Sequence, residues 1–202
     1  MEKWYPESKN IKVGSMEKFS NKLTDYFLRK GLIEAKQTPW CKYMIMHRVM
    51  DVISLLWLVP IGSLVAPWYI SITFVLSYRF LRSRTGGFHA KSPLGCLLAA
   101  TVTQLIGTSL VSRIESTLLL FCILFFSSCL IIYLAPANNP ELHLTQEEIQ
   151  ALLPRIKMRL FLLWLLIVVL FFFVPLMATS ILVGVATTAL LLVLSKSKIG
   201  VN

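Results

Sequence analysis

A histidine and a cysteine, His89 and Cys96, lie seven residues apart in the stretch RTGGFHAKSPLGC, between two long apolar runs. These residue types can form a nucleophile and its base, because a thiolate attacks carbonyl carbons and an imidazole takes up protons near neutral pH. On one continuous helix the two side chains would stand about 10.5 Å apart along the axis, too far for proton transfer. A catalytic pair therefore requires a break in the helix between them.

The residues around the pair predict that break. Two glycines before His89 loosen the chain, and Pro93 disfavours helical geometry at Ser92. Ser92 is a suitable N-cap and Pro93 suits a first helical position, so a new helix should begin here with Cys96 in its first turn or just past it. The partial positive charge of a helix N-terminus favours thiolate over thiol, and His89 is free to fold back as its base. The alternative is a purely structural histidine and cysteine at the end of a membrane helix, which spacing alone favours.

The composition indicates a membrane protein. Hydrophobic residues make up 56% of the 202-residue chain, more than a soluble core of this size can bury. The formal charge is +10, but the basic residues flank the apolar runs, which predicts contacts with anionic lipid and excludes nucleic acid as a partner. The four cysteines form no CxxC pair, so neither a disulfide framework nor a metal site is expected. No motif for a nucleotide, haem or other cofactor is present.

The apolar runs define the expected spans. Runs 94–111 and 116–135 are each near the length that one helix needs to cross a hydrocarbon core of about 30 Å. The 35 uncharged residues after Arg159 would form about 52 Å of helix, which predicts two spans that meet near Pro175. Run 52–78 contains proline and glycine, and it fits either one tilted helix or a hairpin of two.

The distribution of charge decides between these readings. Segments 1–48 and 79–91 hold 14 of the 20 Lys and Arg residues, and basic segments stay on the cytoplasmic side. Every basic segment lies on the cytoplasmic side only if run 52–78 forms a hairpin of two helices. We therefore predict an all-α integral membrane protein with six transmembrane helices, with both termini and the loops 79–93 and 136–158 in the cytoplasm.

The N-terminal segment 1–42 is expected to be cytoplasmic and to precede a transmembrane domain over 43–202. Within it, residues 16–30 place apolar side chains three and four apart, which predicts an amphipathic helix. Its basic residues favour a position flat on the inner membrane surface, against anionic lipids. A helix that docks on the protein's own membrane domain fits the pattern equally well.

The pattern R-x4-G-x-H-x6-C, here Arg82, Gly87, His89 and Cys96, resembles the AgrB family of accessory gene regulator proteins. The stretch YLAPANNP after the fourth run, the amphipathic N-terminal segment and the number of runs extend the resemblance to nearly the whole chain. It implies a cysteine endopeptidase of the bacterial plasma membrane in which His89 activates Cys96. Such an enzyme removes the tail of a short AgrD-like pro-peptide, holds the rest as a thioester, and promotes cyclisation to a thiolactone or lactone autoinducing peptide.

Basic residues beside the pair suit that substrate. Arg79, Arg82, Arg84 and Lys91 could hold an acidic tail, and Gly87 would let a peptide approach the backbone closely. Anchoring by positive charge is the simpler explanation for each of these basic residues except Arg82. We identify no third member of a catalytic triad.

Two other functions compete with the peptidase. A peptide transporter or exporter would require charged residues inside the spans, whereas a structural membrane subunit would have no unusually reactive cysteine. The oligomeric state, a homodimer included, is left open by the sequence.

Overall fold

A computed structural model describes residues 14–86, 93–114, 116–137 and 146–196. This described part of the chain is all-helical and holds seven α-helices: α1 Gly14–Arg29, α2 Thr38–Gly62, α3 Trp68–Thr85, α4 Pro93–Val111, α5 Thr117–Leu134, α6 Gln146–Phe173 and α7 Pro175–Lys196. The chain divides into two compact units, residues 1–56 and 57–202. The division falls inside α2, whereas the sequence suggested a boundary after residue 42.

Four of these helices are long and apolar enough to cross a membrane: Met44–Gly62, Thr117–Leu134, Ile149–Phe173 and Pro175–Lys196. Helix α4 is apolar over the shorter stretch Gly95–Val111. Helix α3 carries three arginines in its last two turns, which lowers its apolar character. The helices are those of a multi-pass membrane protein, and the number of spans stays a prediction.

The helix ends follow the local signals in the sequence. The run 52–78 is broken at residues 63–67, where α2 ends and Pro67 precedes α3. Pro175 begins α7 two residues after α6 ends, because proline fits a first helical turn but not a helix interior. Residues 79–85 and 146–158 are helical, and their position on the cytoplasmic side stays a prediction. Charge limits how far a helix enters the membrane, but Arg, Gln, Glu and Leu all have high helix propensity.

The first compact unit contains α1 and most of α2. The Ser20 hydroxyl of α1 donates a hydrogen bond to the Lys42 carbonyl of α2 at 2.9 Å, and Thr24 donates to the Ser20 carbonyl at 2.8 Å. Helix α1 ends before Gly31, whose φ of 67° is one that L side chains rarely adopt. Phe19 and Tyr26 remain 53% and 49% exposed. The predicted amphipathic helix is therefore present, and its position at a membrane surface stays a prediction.

The second compact unit is organised around α7. In the most apolar part of α7, 61% of the residues are buried, whereas the buried share of the corresponding part is 28% in α5 and 22% in α6. Helix α7 packs on α3, α4, α5 and α6. Its partners expose large apolar side chains on their outer surfaces: Phe121, Phe125, Phe126, Phe161, Phe172 and Phe173. An outer surface of this kind suits contact with lipid.

Small residues let α3 approach α7 and α4 closely. A Cβ atom added at Gly184 would lie 2.3 Å from the Ser77 Oγ, and one added at Gly107 would lie 2.2 Å from the Phe74 ring. Close backbone approach through small residues is a common way for helices to pack in membranes. Helix α3 is therefore held in a fixed position relative to α4 and α7.

Hydrogen bonds between uncharged side chains add to this packing. Gln104 of α4 donates to the Ser71 Oγ of α3 at 2.9 Å, and Ser71 donates to the Val59 carbonyl of α2 at 2.9 Å. Thr73 of α3 donates to the Ser180 Oγ of α7 at 3.0 Å. Among the described residues, every buried side-chain polar atom has a hydrogen-bond partner.

Candidate active site

Cys96 lies in the first turn of α4, which runs Pro93–Val111 and so has Pro93 as its first residue. The side chain of Cys96 is partly exposed. Helix α3 ends at Thr85, and Gly86 follows with a φ of 71° while its N–H donates to the Arg82 carbonyl at 3.0 Å. Gly87, His89, Lys91 and Ser92 lie outside the described residues, so the pairing of His89 with Cys96 stays a prediction.

Cys96 opens onto a small cavity of about 20 Å³. The lining residues come from three helices, Tyr78 and Arg82 from α3, Leu191 from α7, and Cys96, Ala99, Ala100 and Thr103 from α4. A volume of this size accommodates one water molecule or one oxygen atom of similar size. Among Arg79, Arg82 and Arg84, the expected basic residues that lie in the described ranges, Arg82 lines this cavity.

Tyr78 and Arg82 form a joined pair one helical turn apart. The Arg82 guanidinium donates to the Tyr78 hydroxyl and lies 5.5 Å from the centre of the tyrosine ring. Tyr78 is 5% exposed, and its ring stacks on Phe74 with a 6.3 Å separation of centroids. Cys96 and Tyr78 line the same cavity. The thiol therefore has a buried phenol and a guanidinium beside it.

The sequence pointed to Arg82 but not to Tyr78. The signal that could have found it is the i,i+4 spacing of Tyr78 and Arg82, which places the two side chains on one face of α3. That spacing alone does not show that this face turns toward α4, because the contact depends on how two helices pack. The sequence therefore identified the cation and missed its buried partner.

Arg84 lies in the last turn of α3, away from the cavity lining. Near it, Arg159 of α6 donates to the Phe80 carbonyl and the Ser83 hydroxyl, and its guanidinium lies 4.6 Å from the centre of the Phe80 ring. Arg84 and Arg159 also interact electrostatically. The basic group at the end of α3 therefore includes a residue of α6 that sequence reasoning did not place there.

The start of the APANNP stretch packs against the end of α3. The Ala137 N–H donates to the Thr85 carbonyl at 2.8 Å, and a Cβ atom added at Gly86 would lie 3.3 Å from the Ala137 carbonyl oxygen. Ala135, Ala137 and Thr85 are all buried. The described beginning of this stretch is therefore fixed beside the point where the chain leaves α3 toward Cys96.

The other cysteines do not join the site. Cys41 is buried in the first compact unit, and Cys122 and Cys129 are exposed on α5. In the described ranges no cluster of His, Cys, Asp or Glu could hold a metal ion.

Comparison with known proteins gives one family. The model of the AgrB family, described as accessory gene regulator B, matches residues 20–195. This match includes α3, α4 and α7, and with them every residue that lines the cavity at Cys96. Neither the comparison with curated proteins nor the one with solved structures gives a match.

Proposed function

The chain belongs to the AgrB family of accessory gene regulator proteins, and from that premise we propose that it is a membrane cysteine endopeptidase. Its substrate is a short AgrD-like pro-peptide, from which it removes the C-terminal tail on the way to a cyclic autoinducing peptide. The observation that carries this proposal is the position of Cys96 in the first turn of α4, on a cavity shared with Arg82 and Tyr78.

The reaction begins when His89 takes the proton of the Cys96 thiol. The sulfur attacks the carbonyl carbon ahead of the tail, an S–C bond forms, and the π electrons of the carbonyl move onto its oxygen. When this intermediate collapses, the C–N bond breaks and the departing amine takes a proton from His89. The remaining peptide is held as a thioester on Cys96.

Ring closure then needs no further enzyme group. A thiol or hydroxyl within the held peptide gives its proton to His89 and attacks the thioester carbonyl carbon. The S–C bond to Cys96 breaks as the thiolactone or lactone forms, and the released thiolate takes the proton back from His89. A nucleophile tethered in this way competes well with water because its effective concentration is high.

Electrostatics around Cys96 support a nucleophilic role. The N-terminal end of α4 carries partial positive charge, and the Arg82 guanidinium contributes a full charge at the same cavity. Both would stabilise the negative charge that develops when the sulfur attacks a carbonyl carbon. Gly87, Lys91 and Arg84 remain proposed contacts for the peptide and its tail.

The described interior argues against the exporter. A polar pathway through the spans would place charged groups in the interior. Among the described side chains, no Asp, Glu, Lys or Arg is buried, and the buried side-chain polar atoms, the Tyr78 hydroxyl included, are hydrogen-bonded. The described interior therefore lacks the buried charged groups that such a pathway would use.

We further propose that α2 to α7 all cross the bacterial plasma membrane and that both termini lie in the cytoplasm. The arginines of α3 gather at the same end as Cys96, where long basic side chains can reach the membrane surface. Helix α1 would lie on that surface, with Phe19 and Tyr26 in the lipid and its basic residues against anionic headgroups.

Co-expression with an AgrD-like pro-peptide tests the reaction. We expect that Cys96→Ala and His89→Ala each abolish release of the tail, as read by mass spectrometry, while the protein still reaches the membrane. Cys122→Ala, at an exposed cysteine of α5, is the matched control and should cleave as the wild type does. Full cleavage by the Cys96→Ala variant would refute the proposal.

Labelling of single cysteines tests the topology. In a cysteine-free background, Ser112→Cys between α4 and α5 should react with a membrane-impermeant maleimide from outside the cell, because three spans separate it from the N-terminal segment. Lys36→Cys should react only after permeabilisation. Both positions are exposed. Labelling of both from the same side would show that α2 and α3 do not cross separately.

A further inference from the structure

We propose that Tyr78 is a catalytic residue that donates its phenolic hydrogen to the oxyanion formed when Cys96 attacks a carbonyl carbon. This inference rests on the proposed thiol chemistry and extends it to a residue outside the R-x4-G-x-H-x6-C pattern. It starts from the cavity that Tyr78, Arg82 and Cys96 share.

The hydrogen-bonding arrangement leaves the phenol with a proton to give. The Arg82 guanidinium is the donor and the Tyr78 oxygen is the acceptor in the bond between them. A phenol that accepts in this way still carries its own hydrogen, and the neighbouring positive charge strengthens it as a donor. Arg82 also fixes the ring, which stacks on Phe74.

The cavity has the size and the surroundings that an oxyanion needs. Its volume of about 20 Å³ suits a single oxygen atom and excludes a whole side chain. Most of its other lining residues, Ala99, Ala100 and Leu191, offer no charge to stabilise an anion. In a site with little water, one oriented donor stabilises an oxyanion far more than it would in bulk solvent.

The step balances without any further reactant. The thiolate forms the S–C bond, the carbonyl π pair moves to the oxygen, and the Tyr78 hydroxyl donates a hydrogen bond to that oxygen without losing its proton. When the C–N bond breaks, the pair returns to the carbon–oxygen bond and the hydrogen bond weakens. Arg82 balances the negative charge while it lasts.

Two reagents that attack the same thiol separate this role from others. The p-nitrophenyl acetate ester acylates a thiol through an oxyanion, whereas iodoacetamide alkylates it at a saturated carbon and forms none. The test uses the full-length protein in detergent with Cys41, Cys122 and Cys129 replaced by alanine, so that Cys96 is its one thiol.

We expect Tyr78→Phe to slow acylation of Cys96 by about 100-fold, the usual effect of removing one oxyanion donor, and to leave alkylation unchanged. Tyr69→Phe, at a partly buried tyrosine of the same helix, is the matched control and should change neither rate. Equal acylation by Tyr78→Phe and the parent protein would overturn the proposal. Equal slowing of both reactions would also overturn it, since Tyr78 would then act on the thiol or on the fold.

A fluorinated tyrosine at position 78 distinguishes two roles of this residue: donation of a hydrogen bond to the oxyanion, and positioning of the Arg82 side chain. Its phenol donates a stronger hydrogen bond and accepts a weaker one, so acylation should accelerate if Tyr78 donates to the oxyanion. Slower acylation would mean that Tyr78 only holds Arg82. These two rates do not depend on the natural substrate. The peptidase proposal fails if Cys96→Ala still cleaves the pro-peptide, whereas the Tyr78 proposal fails only through the rates of acylation and alkylation.

Discussion

Replacing Gly184 by alanine should destabilise the second compact unit, because α3 lies too close to this position for a methyl group. The new methyl carbon would lie 2.3 Å from the Ser77 Oγ, 3.2 Å from the Tyr78 nitrogen and 3.3 Å from the Phe74 carbonyl oxygen. The first distance is impossible for a relaxed structure, and the other two are tight. Overpacking of this kind lowers the free energy of unfolding by about 1–3 kcal/mol.

Ser77→Ala identifies which contact is responsible. The Ser77 hydroxyl donates to the Phe74 carbonyl of its own helix at 2.9 Å, so its loss alone should cost about 0.6 kcal/mol, typical of hydrogen bonds within membranes. In the double variant the shortest contact is gone. We therefore expect Ser77→Ala to restore about 1 kcal/mol to Gly184→Ala, a coupling that independent sites do not show.

The assay is unfolding of the purified protein in mixed micelles, with the fraction of SDS raised stepwise and helix content followed by circular dichroism. Pro-peptide cleavage is measured in parallel, because the new methyl carbon lies 3.2 Å from the Tyr78 nitrogen. The rate should fall in Gly184→Ala and recover in part in the double variant, where the shortest contact is gone. Additive losses of stability would refute the reasoning. A Gly184→Ala variant as stable as the wild type would refute it too.

Three further predictions concern other contacts. Gly86→Ala should lower pro-peptide cleavage and reduce the free energy of unfolding by about 1–3 kcal/mol, because position 86 has a φ of 71° and close neighbours. Gly31→Ala, with a φ of 67° and open surroundings, should leave cleavage unchanged. Equal cleavage rates for the two variants would contradict this. Arg159→Lys should lower the thermal midpoint as much as Arg159→Gln does, because a compact ammonium cannot stack on the Phe80 ring as the planar guanidinium does at 4.6 Å from the ring centre. Rescue by lysine would show that charge alone matters. Gln104→Met should cost about 0.6–2 kcal/mol in the SDS titration, because the buried amide donates to α3, and a variant at least as stable as the wild type would contradict this.

The elements that depend on local chemistry could be predicted from the sequence. Helix α4 begins at Pro93 because proline and the residues around it specify a helix start within a few positions. The break between α2 and α3 lies in the run where the sequence has Pro60, Gly62 and Pro67. The family followed from a short pattern of residues whose spacing does not depend on packing, and the match over residues 20–195 confirms it.

Features that depend on distant contacts could not be predicted. Tyr78 lines the cavity because α3 packs on α4 and α7, and no pattern within α3 specifies that orientation. Arg159 lies 79 residues from the Phe80 carbonyl that it contacts, so only the folded chain brings them together. The distribution of charge predicts which helix ends face the cytoplasm, and that topology stays a prediction because it depends on a membrane and not on contacts within the chain.

The contribution of α7 to the cavity has a consequence for biosynthesis. Leu191 closes one side of the cavity at Cys96, and α7 is made after α3 and α4 because it follows them in the chain. A nascent chain that has inserted only its earlier helices therefore holds the cysteine without the enclosed space around it. The wall of this cavity is therefore complete only after α7 has left the ribosome and packed on α3 and α4.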